Sequence, residues 1–153
     1  MKLAEALVLR ADCQKKIAQI KQRLERVVKV QEGEQPAEDP NVLIAELEQT
    51  INELTGWIRK INKTNALTLF NDQLSISDAL AERDKLMQQR NILNEILENA
   101  TIKQDRFSRS EVKFYRTIDV VSIQNQVDQL SKTYREFDFK IQEMNWTTEL
   151  IDE

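Results

Sequence analysis

Apolar positions recur at alternating steps of three and four residues in four stretches of this chain. The first line is Leu3, Ala6, Arg10, Cys13, Ile17, Ile20, Leu24 and Val27. Such spacing places all eight on one helical face and predicts a helix over 2–30, about 43 Å long. The second line is Ile44, Leu47, Ile51, Leu54, Ile58 and Ile61, predicting a helix over 40–63 with Trp57 on its flank. The third is Ala79, Arg83, Leu86, Arg90, Leu93, Leu97 and Ala100, predicting a helix over 77–100. The fourth is Ile123, Val127, Leu130, Tyr134, Phe137, Ile141 and Met144, predicting a helix over 120–144.

Between these stretches the pattern changes. "QEGEQPAEDPN" (31–41) holds Gly33, Pro36 and Pro40, which stop a helix, and its acids favour water. A flexible acidic loop over 31–39 follows, with Asp39 capping and Pro40 opening the next helix. Residues 66–75 read as a corner in which Asn71-Asp72 turns, and Ser77 with Asp78 caps the third helix. Near 110–118 the period becomes two: Val112, Phe114, Arg116 and Ile118 alternate with Lys113, Tyr115 and Thr117. That predicts a short extended or β segment, after which Asp119 caps the last helix. The whole is read as one all-α domain, residues 1–153. Its long antiparallel helices pack in a coiled-coil-like bundle along narrow seams, and helices this long and narrow-faced are expected to pair between chains as a homo-oligomer.

Composition supports helices: 153 residues carry 31% charged side chains and only two glycines and two prolines. The net charge of −4 is unevenly spread. Residues 1–30 sum to +5 and residues 31–56 to −7. A basic first helix can meet nucleic acid or anionic lipid, but an acidic antiparallel neighbour is the nearer partner. One cysteine fits a reducing compartment, and no apolar run reaches the length of a signal or a membrane span. A cytoplasmic location is expected.

The absence of histidine removes the commonest general base and metal ligand. Two glycines cannot build a dinucleotide or phosphate loop, and no cofactor, metal or catalytic residue is assigned. The sharpest anomaly is Arg83 and Arg90, roughly 10 Å apart on one inward line. A buried guanidinium needs a partner. One reading pairs Arg83 with Asp138 or Asp119, fixing helix register. The other makes a pocket for a small anion at the polar end of the bundle, from Arg83, Arg90, Asn62, Thr64 and Asn65, with Asn145 and Trp146 beside them. "KFYR" (113–116) interleaves bases and aromatics as single-strand binders do. An edge strand blunted by Lys and Arg explains it as well, so nucleic acid is not expected as a partner.

"INKTN" (61–65), "SDALAERDKL" (77–86), "RSEVKFYRTIDV" (109–120) and "REFDFKIQEMNWTTEL" (135–150) stand in that order behind the opening "MKLAEALVLRAD". Together they resemble the septicolysin-like family of small, functionally uncharacterised bacterial proteins. The resemblance implies a helical protein whose family name suggests a membrane-active, pore-forming assembly. The residues themselves point first to a self-assembling structural or interaction protein without catalysis, with an anion-binding or enzymatic site and a membrane-active assembly as the alternatives.

Overall fold

The structure, a computed structural model, describes residues 1–101 and 112–152. It is all-α: α1 Leu3–Val27, α2 Pro40–Leu67, α3 Ile76–Asn99 and α4 Val120–Thr147. The chain divides into two compact units, one of Met1–Ile76 with Glu143–Glu153, the other of Ser77–Gln142.

In the first unit, Lys2 stands before α1 in extended conformation, and its N–H donates to the Glu5 carboxylate at 2.7 Å. This occupies one of the donors a helix start leaves free. α1 stops at Val27, three residues short of the expected end. A turn follows, closed by Glu34 N–H on the Gln31 carbonyl and passing through Gly33 at φ 87°. That backbone favours glycine. Asp39 then caps α2, accepting from Asn41 N–H at 2.9 Å, and Pro40 takes the first position.

α1 buries Leu3, Ala6, Cys13, Ile20 and Val27, all on the expected line. α2 lies antiparallel to it: Lys16 faces Glu46 at 3.5 Å, and Arg23 grips Glu38, with Nε 3.0 Å from Oε2. The basic first helix thus meets the acidic segment that follows it. Ile20, Val27 and Leu43 form a core cluster flanked by Leu24 and Leu47.

The buried line of α2 keeps Ile61 of the expected one and otherwise differs from it. Leu43, Thr50, Ile61 and Thr64 are buried, whereas Ile44 and Ile51 remain 42% and 43% exposed. The seam has turned by one position toward Leu43 and Thr50. The threonines accept burial because each hydroxyl bonds the carbonyl four residues back, Thr50 to Glu46 and Thr64 to Lys60, both at 2.8 Å.

α2 also runs four residues past its expected end, so Thr64 and Asn65 are helical as Asn62 is. The corner is 68–75. Asn71 builds it, its side-chain oxygen accepting from the N–H groups of Gln73 and Leu74. An isolated bridge joins Leu69 to Ser75. α3 begins at Ile76, which places Ser77 and Asp78 inside its first turn.

Residues 148–152 close the first unit. Leu3 N–H donates to the Thr148 carbonyl at 2.9 Å, and Leu150 N–H to the Met1 carbonyl at 2.8 Å. Ile151 N–H donates to the Thr64 hydroxyl at 2.9 Å, and Lys60 pairs with Asp152.

In the second unit, α3 and α4 meet through an ion pair, Arg83 Nη1 to Asp138 Oδ1 at 2.9 Å, and bury Ala79, Leu86, Val127 and Ile141. Asp119 caps α4, accepting from Ser122 N–H at 3.2 Å. The expected extended segment is not part of a sheet among the described residues. Residues 112–118 lie in no strand because no second strand lies alongside to pair with them among the described residues, and 110–111 fall outside those residues. Arg116 ties the segment back, its Nε donating to the Ala100 carbonyl at 2.8 Å.

Candidate functional site

The residues expected to form an anion pocket fall into two groups. Asn62, Thr64, Asn65, Asn145 and Trp146 belong to the first unit, and Arg83 and Arg90 to the second. Within the first unit Thr64 is 0% exposed, and its hydroxyl is committed twice, donating to Lys60 and accepting from Ile151. That leaves it no hydrogen to give a ligand. Asn62 is exposed on α2, Asn65 and Asn145 are half-buried, and Trp146 stands open to water. None of the seven lines any of the cavities described below.

In the second unit the two arginines differ. Arg83, 23% exposed, faces Asp138, 29% exposed, with Asp84 a further 3.9 Å contact. Asp119 does not join this pair; its carboxylate is taken by the start of α4. Arg90 has no carboxylate partner among the described residues. Its Nη1 lies 3.4 Å from the Met87 sulfur, and its buried Nε, like that of Arg83, has no hydrogen-bond partner among the described residues.

Sequence reasoning did not single out the cavities. In the second unit a cleft of about 530 Å³ is lined by Ile96, Asn99, Ala100, Phe114, Tyr115 and Arg116, among others. A groove of about 210 Å³ lies on α3 between Lys85, Gln88, Gln89, Ile92 and Leu93. In the first unit a basic hollow of about 350 Å³ lies over Gly56, lined by Arg59, Lys60, Lys63 and Asp152. Lys60 also sits 5.2 Å above the Trp57 ring, whose buried Nε1 has no partner among the described residues.

Electrostatics in the first unit are those of surface pairs. The Glu38 carboxyl is held below its ordinary value by hydrogen bonds from Arg23. Lys2 and the chain's amino group do the same to Glu149, and Lys60 to Asp152. Burial, and next the nearby Glu53 carboxylate, push the Cys13 thiol up, which makes it a poor nucleophile. No group of three or more carboxylates or cysteines able to hold a metal occurs among the described residues. No helix of the described residues is long and apolar enough to cross a membrane.

Comparison with known proteins corrects the resemblance drawn from the sequence. None of the curated proteins compared with the chain matches it. A solved structure does: that of a functionally unknown conserved protein from Corynebacterium diphtheriae. It is 41% identical, with a TM-score of 0.92, and the match covers 99% of each chain. Residues 10–150 match a family of unknown function, DUF6847. Neither finding carries a septicolysin, so the toxin-like expectation falls with the name. The match spans most of the chain, and on it the protein belongs to the DUF6847 family of unknown function.

Proposed function

We propose that this protein is a cytoplasmic, non-catalytic helical protein that works by self-association, its long helices packing between copies in coiled-coil fashion. The observation that carries this reading is apolar side chains at helical spacing left open to water. Ile44 and Ile51 lie seven residues apart on α2, with half-buried Ile58 seven further on, beside rather than in the seam with α1. A β-branched side chain every seventh residue is the spacing of a helix-pairing seam. The chemistry-poor composition supports the same reading: without histidine and with one buried cysteine, the usual acid–base and nucleophile pairs cannot be assembled. Sedimentation velocity over a wide concentration range is the test. Species at multiples of 17.9 kDa are expected; a monomer at every concentration overturns the reading.

Arg90 supports a second reading, small-anion binding in the second unit. A half-buried guanidinium without a counter-ion among the described residues favours an anionic group as its partner. Native mass spectrometry of the freshly purified protein tests it. A retained anion that is lost in Arg90→Met supports it, and a bare chain mass refutes it.

A further inference from the structure

We infer that the outer face of α3, continued by residues 112–118, is a self-complementary contact at which two copies of this chain meet. This rests on the self-association reading and adds a second surface to the α2 stripe on which that reading stands.

α3 carries two faces. The inner one, with Arg83 and Leu86, meets α4. The outer one carries Lys85, Gln88, Gln89, Ile92 and Ile96. Ile92 and Ile96 are 49% and 40% exposed and, four residues apart, stand on the same side. Ile92 lines the groove with Lys85, Gln88 and Gln89. Ile96 lines the larger cleft with Phe114 and Tyr115. One apolar surface therefore runs from the groove through Ile96 into the cleft.

Its size fits a chain-to-chain contact. Phe114 and Tyr115 are 76% and 80% exposed. Aromatic side chains offer about 200 Å² each, so these two leave roughly 300 Å² open. The two isoleucines add on the order of 150 Å². A lone monomer's largest apolar patch is about 300–600 Å², and such patches commonly bind something. A standard interface takes about 800 Å² from each partner, with an apolar core of somewhat more than half. Four side chains thus supply most of one such core.

Charge points to a second copy as the occupant. Along the outer face Lys85 stands at one end, and Glu95 and Asn99 at the other, with Ile92 midway. A two-fold axis near Ile92 runs two α3 helices antiparallel. Each Lys85 then lies beside the Glu95–Asn99 turn of the second copy, and each Ile96 over its Gln88 and Gln89. The present partner of Lys85 is Glu82, an exposed pair one turn away, which is worth little. A self-matching patch of this kind closes a dimer on itself.

The test uses the full-length chain with two variants. The first is the double substitution Ile92→Glu and Ile96→Glu, which leaves the inner seam untouched. Sedimentation velocity should show its dissociation constant raised at least tenfold over the wild type, with helicity by circular dichroism unchanged. The second is Ile92→Cys in a Cys13→Ala background. Mild oxidation should give a disulfide-linked dimer of twice the chain mass. A wild type monomeric at every concentration sinks the inference together with the self-association reading. A wild type that associates, with a double variant that associates equally well, sinks this surface alone and leaves self-association standing. Failure of the Ile92→Cys chains to cross-link, in a protein that associates, likewise overturns the two-fold placement.

Discussion

Replacing Thr64 by valine removes one hydroxyl and almost no volume, and its cost follows from two hydrogen bonds. The hydroxyl donates to the Lys60 carbonyl at 2.8 Å and accepts from Ile151 N–H at 2.9 Å, with the residue 0% exposed. The Lys60 carbonyl keeps its helical partner, so losing that bond costs little. Ile151 N–H, part-buried, loses its acceptor. A buried donor left without a partner costs about 1–2 kcal/mol. For a chain of this length that lowers Tm by about 3–6 °C. Thr50→Val is the matched control. That residue is equally enclosed at 1% exposed, yet its hydroxyl bonds only the Glu46 carbonyl of its own helix. Its removal orphans nothing, and the change should stay within about 0.5 kcal/mol. Thermal melts by circular dichroism compare the two, and hydrogen exchange at the Ile151 amide should quicken in Thr64→Val alone. Equal Tm changes in the two variants, or unchanged exchange at Ile151, would refute the reasoning.

Gly56→Ala should stabilise the protein by about 1 kcal/mol, since α2 is continuous there and a Cβ meets nothing within 4 Å; a higher denaturant midpoint at unchanged slope is the readout. Arg83→Met leaves Asp138 half-buried without its cation and should cost about 1–3 kcal/mol, with Asp138→Leu on top of it recovering part; additive single and double changes in thermal melts would show that the pair does not couple. Glu38, Glu149 and Asp152 have depressed pKa values in the folded chain. Their contribution is therefore full above the ordinary carboxylate range and lost as pH falls through the depressed folded values. Melts on an acid titration should show Tm falling there, less steeply in Glu38→Gln and in high salt, because these pairs are exposed. Cys13, buried with its thiol pKa raised, should react with a maleimide at neutral pH far more slowly than after unfolding.

The helices were legible because spacing of three and four carries through every one of them. α1 buries five of the eight residues its pattern marks, Leu3, Ala6, Cys13, Ile20 and Val27, and half-buries Arg10, Ile17 and Leu24. α2 does so only in part, burying Ile61 but leaving Ile44 and Ile51 exposed, and the reason is physical. Two adjacent lines on it are both acceptable at a seam, one through Ile44, Ile51 and Ile58, the other through Leu43, Thr50 and Thr64. Apolar content favours the first. The structure takes the second, because a threonine whose hydroxyl is satisfied inside its own helix packs like valine. The corner was legible at Asn71, which turns the chain as expected, while the helix before it runs on through Asn65 to Leu67. Arg83 and Asp138 could be matched from the sequence, since a charge on an apolar line demands an opposite one. The cleft over Phe114 and the stitching of residues 148–152 could not. The first needs the path of 112–118, and the second is made largely of backbone groups, which look alike at every residue.

That stitching sets an order for building the molecule. Leu3 N–H waits for the Thr148 carbonyl, and Thr64 for the amide of Ile151. On the ribosome the opening helical hairpin emerges early but lacks its final strap until translation reaches Thr148 and Ile151. The middle segment, Ser77–Gln142, is finished first. A nascent chain stalled before Thr148 would therefore carry a complete centre and an unfastened beginning, open to proteases at the end that was made first.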